Sequence, residues 1–306
     1  MSNSSRNLPL DTELVAVATA VKSLDESGTR FAEVLRNTFD QLYDGQRTGR
    51  YRWDQLYKTE KTHFGTLVEI NLCREFKFED GKILDYKIEN AEVDCKFSQS
   101  AQWMIPPEAM GHLCLVVCAK DVEKPKWGMG LVRISPERLN TGGNRDLKAT
   151  LNEAGRKAIF WLFNEADLPP NILLQLPRET TDRIFEHRSG QQRINALFRN
   201  TLGMRVSRAV IATVGQQDDF MKRVRKNGGA RTTLRQEGII ILGQYKSHLE
   251  IARCLSIPEP SGGEFVSARV INADSSNKSS VKIDGQWWRL AKKEDPIVMA
   301  PNLPRV

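Results

Sequence analysis

Apolar residues recur every three to four positions along the N-terminal part of the chain, the period of an α-helix with one buried face. This spacing predicts helices over residues 11–23, 30–43 and about 58–76. In the second segment the apolar positions are Phe31, Val34, Leu35, Phe39 and Leu42. Asp44 and Gly45 follow it, and a glycine there favours a helix end because it readily adopts positive φ.

After the third helix the apolar pattern changes to that of β-strands. Alternating residues predict a hairpin, and one unbroken apolar run indicates a central strand buried on both faces. The expected strands are residues 82–88, 91–97, 113–119 and 128–134, with the hairpin turn at 89–90. A helix is expected over about 152–163, so the pattern indicates an α/β domain with a mixed sheet over residues 10–163.

Residues 164–170 contain a Leu-Pro-Pro sequence and predict a linker to a second domain, 171–306. Helical segments are expected between residues 172 and 234. Short strands follow at 239–242, 264–272, 279–283 and 287–291, with a tight turn at Asp284-Gly285. The second domain is therefore expected to be mostly helical, with a small β appendage.

The composition is that of an ordinary globular protein, with 306 residues of which 40% are hydrophobic and 27% charged. No apolar run approaches the roughly 18 to 20 residues that span a bilayer, and the N-terminus lacks the apolar core of a secretory signal. The five cysteines include no C-x-x-C pair, which favours a reducing compartment and no structural zinc. We therefore expect a cytoplasmic protein without a membrane partner.

The net charge of +7 is distributed unevenly along the chain. Residues 171–306 hold 22 Lys and Arg against 13 Asp and Glu, whereas residues 1–170 hold 23 against 25. The whole basic excess thus lies in the C-terminal half. Such a division favours a polyanion-binding module joined to a module with another task, although a generically basic surface would give the same count.

One group of charged residues in the first domain suggests catalysis. Asp94 and Lys96 are two residues apart on a predicted strand, so their side chains share a face. Asp85 lies across the short hairpin, and Glu69 lies on the inward stripe of the preceding helix. Clustered carboxylates repel one another unless a cation shares them.

Hard oxygen ligands of this kind suit Mg²⁺, so we expect Glu69, Asp85 and Asp94 to be metal ligands. Lys96 would orient the water that attacks a phosphodiester. The arrangement matches the Asp…Asp-x-Lys core of PD-(D/E)xK nucleases, except that Leu84 stands where that motif has proline. The alternative interpretation is an exposed hairpin with solvated charges.

The second domain contains the outline of a helix-turn-helix, with helices expected over 216–225 and 230–237 and a turn between them. The second helix would present Arg231, Thr232 and Arg235 to a major groove. The expected phosphate contacts are Lys222, Arg223, Arg225 and Lys226. A helical hairpin with a solvated basic face is the alternative.

Long stretches of the chain resemble NaeI-type restriction endonucleases, the type IIE enzymes. The matching segments are residues 39–50, 58–63, 65–72, 93–98, 208–214, 216–225, 238–243 and 295–298. The resemblance therefore covers nearly the whole chain. It implies an N-terminal endonuclease domain with Glu69, Asp85, Asp94 and Lys96 at catalytic positions.

The same resemblance implies a C-terminal DNA-binding domain with a helix-turn-helix, like the topoisomerase-like half of that family. The expected enzyme is a homodimer that uses Mg²⁺ to cut the palindrome GCCGGC with blunt ends. A second copy of the site, bound as effector, would activate cleavage. A cognate DNA methyltransferase is expected in the same restriction-modification system.

Residues 42–45 also resemble the Lys-x-Asp-Gly motif of DNA ligases, with Leu42 in place of the lysine nucleophile and with Asp44 and Gly45 retained. Leucine forms no covalent adenylate, so no ligase activity is expected. Three alternatives to a restriction enzyme stay open at this point. They are a DNA-binding regulator with a degenerate nuclease fold, a topoisomerase- or ligase-like enzyme, and a nickase.

Overall fold

A computed structural model of the chain describes residues 11–142, 146–225, 228–274 and 279–304. Its helices are α1 (Thr12–Leu24), α2 (Thr29–Tyr43), α3 (Gly45–Thr48), α4 (Lys58–Phe76), α5 (Glu153–Lys157), α6 (Ile172–Gln175), α7 (Arg178–Glu186), α8 (Gly190–Asn200), α9 (Arg208–Gly215), α10 (Ala230–Thr233) and α11 (Lys246–Cys254). Its strands are β1 (Glu79–Asp80), β2 (Tyr86–Ile88), β3 (Ala91–Phe97), β4 (Met104–Ile105), β5 (Leu113–Lys120), β6 (Lys126–Arg133), β7 (Ala149–Thr150), β8 (Phe160–Asp167), β9 (Arg205–Val206), β10 (Ile239–Leu242), β11 (Phe265–Asn272), β12 (Val281–Ile283) and β13 (Gln286–Leu290).

The chain divides into two compact units. The first unit comprises Met1–Leu42 and Leu56–Pro170, and the second comprises Tyr43–Gln55 and Asn171–Val306. The division differs from the boundaries expected from the sequence in two segments. Residues 164–170, expected as a linker, belong to the first unit, and part of them lies in β8. Tyr43–Gln55 belongs to the second unit, although the apolar pattern placed it in the first domain.

The first unit is built on a six-stranded sheet in the order β1-β2-β3-β5-β6-β8. Strands β3 and β5 are parallel, and every other neighbouring pair is antiparallel. The apolar run of β5 lies at the centre of this sheet, and its residues from Leu113 to Val117 are fully buried. A strand enclosed on both faces needs apolar side chains at successive positions, which explains the unbroken run.

Aromatic side chains join α2 and α4 to one another and to the sheet. Phe31 of α2 stacks on Phe76 of α4 at 3.9 Å between ring centroids, and Phe39 meets Phe64 at 4.4 Å. Phe64 in turn makes an edge contact with Phe97 of β3 at 4.8 Å. These contacts hold α4 against the strand that carries Asp94 and Lys96.

The prediction of a helix over residues 152–163 is wrong beyond the first turns. Helix α5 ends at Lys157, and residues 160–167 form the edge strand β8, paired with β6. Aromatic residues such as those of this segment favour a strand. The ring of Trp161 packs against Gly128 and Gly130 of β6. A Cβ on either glycine would lie 3.1 to 3.2 Å from that ring, so the missing side chains leave room for it. The partner strand therefore decides the conformation.

The second unit combines a helical core with a small antiparallel sheet. Strands β10, β11, β13 and β12 are neighbours in that order, and β9 pairs with β11. Buried residues of α8, α9 and α10 form one apolar cluster that includes Ile194, Phe198 and Ile211. Helix α11 contributes to a second cluster with the sheet. The mostly helical unit with a β appendage resembles the architecture expected from the sequence.

The first helix of the expected helix-turn-helix is not an α-helix. Helix α9 ends at Gly215, Gln216 adopts a left-handed φ of 50°, and Phe220–Arg223 form a short 3-10 turn. This turn allows both Phe220 and Val224 to be buried in the helical core. The second segment is helical, as α10 followed by a 3-10 turn over Leu234–Glu237, and Gly238 ends it with a φ of 76°.

No helix in the described ranges combines the length and apolar character needed to cross a bilayer.

A buried ion pair ties α2 to the end of β5. The Arg36 guanidinium donates two hydrogen bonds to Asp121, at 2.6 and 3.0 Å, and a third to Asp40 at 2.8 Å. The Asp121 side chain is fully buried and that of Arg36 is 9% exposed. Removing one partner of such a pair leaves the other charge poorly compensated in a dry environment.

We expect Asp121→Asn to lower the free energy of unfolding by about 3 kcal/mol, because the buried Arg36 guanidinium then has no charge on its nearest carboxyl partner. Asp167→Asn is the matched control, since its pair with Lys126 is exposed and should contribute almost nothing measurable. Urea denaturation of both variants measures the difference. Equal stability losses would contradict the structural role assigned to the buried pair.

Candidate active site

Strand β3 presents Asp94 and Lys96 on one face, because side chains two residues apart in a strand point the same way. Asp94 lies opposite Cys114 of β5, and Lys96 lies opposite Val116. The Asp94 side chain is only 3% exposed, whereas that of Lys96 is 24% exposed. The pair therefore forms a partly buried site with one open side.

The Lys96 ammonium is the centre of the site. Its Nζ donates to Asp94 Oδ1 at 2.6 Å, to Asp85 Oδ2 at 3.1 Å and to the Cys95 carbonyl at 3.0 Å. The structure thus brings together the two aspartates and the lysine of the Asp…Asp-x-Lys pattern. Each donor hydrogen of the ammonium has an acceptor, which fixes the position of its charge.

The sequence had indicated that Asp85 lies on a strand. It does not, because β2 begins only at Tyr86. Residues 82–85 form a bend before that strand. The Asp85 carboxylate nevertheless returns to β3, where its Oδ2 accepts a hydrogen bond from the Cys95 backbone N–H at 2.7 Å. A backbone donor of β3 therefore holds this carboxylate beside Lys96.

Glu92 organises the bend that delivers Asp85, and the sequence analysis missed it. Its carboxylate accepts hydrogen bonds from the backbone N–H groups of Lys82, Ile83 and Leu84 at 2.9 to 3.0 Å. These three donors lower the pKa of Glu92 to about 2. Nothing in residue type or spacing reveals this role, since it depends on the conformation of the bend.

Glu69 of α4 faces the same cluster. Burial raises the pKa of its carboxyl group, the Asp85 charge raises it further, and Lys96 opposes the rise. The Tyr86 hydroxyl donates to the Glu69 backbone carbonyl at 2.7 Å, which links α4 to β2 beside the site. Glu69 is therefore near enough to the two aspartates to interact with their charges.

Burial and charge act in opposite directions on the central pair. Burial raises the pKa of Asp94, while the Lys96 ammonium opposes that rise. Burial lowers the pKa of Lys96, but Asp94 and Asp85 outweigh it and bring that pKa above its usual range. Lys96 is consequently a fixed positive charge at neutral pH. Its charge can attract a phosphate oxygen, but its three hydrogens are already donated, and it is poorly suited to remove a proton.

The carboxylates of Glu69, Asp85 and Asp94 are the ligands that the sequence predicts for a divalent metal. Within the described ranges, no three His, Cys, Asp or Glu side chains are placed so that they could hold a metal ion together. The chemistry of the cluster fits a hard cation, since burial and mutual repulsion raise the pKa of Glu69 beside Asp85 and Asp94. The oxygens of these residues would hold the ion next to Lys96, which now bridges the two aspartates.

The basic residues predicted to bind DNA have different surroundings in the second unit. Lys222 and Arg225 are exposed, whereas Arg223 is half-buried and paired with Asp219 at 3.4 Å. Lys226 lies outside the described residues. Two of these side chains are therefore accessible to a polyanion.

The residues predicted to read bases are engaged differently from that expectation. Arg231 donates from Nε to the Ile241 carbonyl at 2.9 Å, and Arg235 donates from Nε to the Ala300 carbonyl at 2.7 Å. Both side chains are partly buried, and of the three residues predicted to read bases only Thr232 is exposed. The two guanidiniums therefore contact the protein itself, which the helical spacing could not reveal.

The ligase-like motif lies at the end of α2. Leu42 is buried, and Asp44 adopts a left-handed φ of 47°. The Gly45 backbone approaches Thr213 so closely that a Cβ on residue 45 would overlap the Thr213 side chain. The positive φ expected at Gly45 is thus found at Asp44 instead, and Gly45 begins α3 where Thr213 leaves no room for a side chain, so packing alone explains the glycine.

The chain was compared with known proteins. Residues 15–299 match the family described as Restriction endonuclease NaeI. The chain is also 51% identical to a protein of Lentzea aerocolonigenes named Type II restriction enzyme NaeI, and the match covers 96% of this chain and 95% of that protein.

We expect Glu92→Gln to increase amide hydrogen exchange at Lys82, Ile83 and Leu84 roughly tenfold, because a neutral amide accepts weaker hydrogen bonds than a carboxylate. Glu89→Gln, at the exposed hairpin turn, is the matched control and should leave these amides unchanged. Exchange followed by mass spectrometry or NMR measures the effect. Unchanged protection at residues 82–84 in Glu92→Gln would contradict the role of Glu92.

The stabilisation by the hydrogen bonds of the Glu92 carboxylate should also depend on pH. Folding lowers the pKa of Glu92 from 4.5 to about 2, so its stabilising contribution is complete above pH 4.5 and declines as the pH falls towards 2. The stability difference between wild type and Glu92→Gln should therefore be larger at pH 6 than at pH 3. Urea unfolding at the two pH values checks this, and a difference that grows on acidification would refute it.

Proposed function

Because this chain belongs to the NaeI restriction endonuclease family and is a type II site-specific deoxyribonuclease, we propose that Asp85, Asp94, Lys96 and Glu69 form its catalytic site. The observation that carries the proposal is the Lys96 ammonium held between two carboxylates on a partly open face of β3. The first unit would then be an endonuclease domain with a PD-(D/E)xK core. The expected reaction is hydrolysis of both strands of a specific palindrome, GCCGGC by resemblance.

Asp85 and Asp94, with Glu69 beside them, would hold the proposed Mg²⁺. Bound there, the ion would supply positive charge for the phosphorane-like transition state and the leaving oxyanion. Lys96 would keep its proton, and by exchanging one of its three hydrogen bonds it would orient the attacking water or a non-bridging phosphate oxygen. The backbone N–H of Cys95 and the Glu92 contacts keep Asp85 in register with Asp94. The proton that the attacking water loses would pass to solvent at the open side of the site, since Lys96 is already protonated.

The second unit would bind DNA through its exposed cations. The basic excess of residues 171–306 supports this division of labour, and Lys222 and Arg225 are the accessible members of the predicted set. A homodimer would match the two-fold symmetry of a palindrome. We further propose that a second copy of the site, bound as effector, activates cleavage.

The cellular setting follows from this proposal. A restriction enzyme acts on DNA in the cytoplasm, where the five cysteines, all unpaired here, would stay reduced. A methyltransferase that protects the same site would accompany it. Strand ligation is not part of the proposal, since Leu42 offers no nucleophile.

Incubation of a supercoiled plasmid of known sequence with the full chain tests the proposed activity. With Mg²⁺ we expect linear DNA with ends at one sequence, and with EDTA we expect no cleavage. Intact plasmid would favour a DNA-binding regulator, and open circles alone would favour a nickase. Changed linking number without ends would favour a topoisomerase.

We expect Asp94→Asn and Lys96→Gln each to reduce the cleavage rate by about 10²- to 10⁴-fold, because each removes a charge placed at the reacting phosphate. DNA affinity in EDTA should stay near that of wild type. Asp80→Asn and Lys87→Gln, on the neighbouring strands β1 and β2, are the matched controls. Cleavage at the wild-type rate by either site variant would reject the assignment.

We expect Lys222→Gln and Arg225→Gln to weaken binding to all DNA sequences alike, because phosphate contacts carry no base information. The slope of log affinity against log salt should shrink by about one for each cation that no longer meets a phosphate. Arg253→Gln, which removes an exposed charge elsewhere in the second unit, is the control. Identical slopes in wild type and in both variants would exclude these residues from the DNA interface.

A further inference from the structure

Cys114 lies beside the candidate active site, in the dry interior of the first unit. It is fully buried in β5, in register with Asp94 on the parallel strand β3 and with Val132 on β6. Side chains alternate between the two faces of a sheet, and residues in register on neighbouring strands share a face. The Cys114 side chain therefore lies on the face of the sheet that carries Asp94 and Lys96.

The Cys114 thiol donates a hydrogen bond to Asp94. Its Sγ is 3.6 Å from Asp94 Oδ2, a separation that suits the large sulfur atom. Burial raises the pKa of the Cys114 thiol, and the Asp94 charge raises it further, so the proton stays on sulfur. Lys96 donates to the other carboxylate oxygen, Oδ1. Among the described residues, Cys114 is thus the one hydrogen-bond donor to Asp94 Oδ2.

These two contacts determine the orientation of the Asp94 carboxylate. Rotation about the Cβ–Cγ bond of an aspartate has a broad energy profile, so the bond itself selects no single orientation. With Lys96 on one oxygen and Cys114 on the other, the carboxylate plane is held at both of its ends. An ionised carboxylate has about four lone-pair sites, so sites on both oxygens remain available to a cation.

A cysteine combines two properties that this buried position needs. It packs as a small apolar side chain, and its S–H group is still a weak hydrogen-bond donor. Cys118 shows the first property without the second, because it packs against the same apolar cluster of the first unit. Among the described residues, its thiol donates to no carboxylate. The two cysteines of β5 therefore allow packing and donation to be compared within one strand.

We propose that Cys114 is a positioning residue, whose thiol fixes the orientation of the Asp94 carboxylate towards the divalent cation. This role rests on the proposed catalytic function of Asp94. Removing a hydrogen bond to a metal ligand typically weakens metal affinity or activity by about 10- to 100-fold. Because a thiol is a weak donor, we expect the lower end of this range, about tenfold.

Three substitutions separate the hydrogen bond from packing. Cys114→Ser keeps a donor of similar size, Cys114→Ala removes the donor, and Cys118→Ala removes the same atom elsewhere in β5. Mn²⁺ is the probe ion for binding to the full chain without DNA, measured from the paramagnetic resonance of the free ion. The Mg²⁺ concentration that gives half-maximal cleavage is measured in parallel. We expect Cys114→Ala to need about tenfold more of either ion, with Cys114→Ser and Cys118→Ala near wild type.

The infrared S–H stretching band tests the contact itself without metal or cleavage. The Cys114 band is identified by its loss in Cys114→Ser, and the Cys118 band by its loss in Cys118→Ala. We expect Asp94→Asn to raise the frequency of the Cys114 band and to leave the Cys118 band unchanged, because a neutral amide is a weaker acceptor than a carboxylate. This measurement tests the contact even if Cys114→Ala does not fold.

Wild-type metal affinity and cleavage in Cys114→Ala would overturn the proposed role of Cys114, and so would a Cys114 band that is unchanged in Asp94→Asn. Equal losses in Cys114→Ala and Cys114→Ser would also overturn it, since packing rather than the donor would then be responsible. A wild-type chain that leaves DNA intact with Mg²⁺ would instead reject the proposed function, and this role with it. Failure of the Cys114 role alone leaves wild-type cleavage, and its loss in Asp94→Asn, in place.

Discussion

The first unit depends on one interaction, in which the Lys96 ammonium donates hydrogen bonds to both Asp94 and Asp85. Two carboxylates this close would repel one another in a partly buried position, and Asp94 is almost fully enclosed. The lysine charge makes the cluster compatible with folding before any other cation is bound. The same charge, held by three acceptors, is the one that the proposed mechanism places near the reacting phosphate. Stability and chemistry thus rest on one pair of contacts.

The surrounding sheet serves to maintain that arrangement. Strand β3 is flanked by an antiparallel neighbour and by the parallel strand β5, so its backbone cannot shift without breaking ladders on both sides. Asp85 comes from outside the ladder, and it is held by the Cys95 N–H and by the bend that Glu92 stabilises. Glu92, which makes no contact with Lys96, therefore supports the position of Asp85 through the bend.

The sequence predicted what depends on local period and missed what depends on partners far along the chain. Helix α4 has the expected bounds, and the shared face of Asp94 and Lys96 follows from strand geometry alone. The resemblance to NaeI-type restriction endonucleases is confirmed. Residues 160–167 were misjudged because the two glycines of β6 that accommodate Trp161 are about 30 positions away. The role of Glu92 was hidden for another reason, since it depends on the conformation of the nearby bend at residues 82–84.

Charge counted along a sequence does not show which charges remain available. The basic excess of the C-terminal half includes Arg231 and Arg235, which donate to backbone carbonyls of their own unit and line a cavity. Lys222 and Arg225 lie nearby in sequence but are exposed. A long-range attraction for DNA needs only the total charge, whereas contact with a phosphate needs a free donor. Burial therefore separates these basic residues into two groups that composition treats as one.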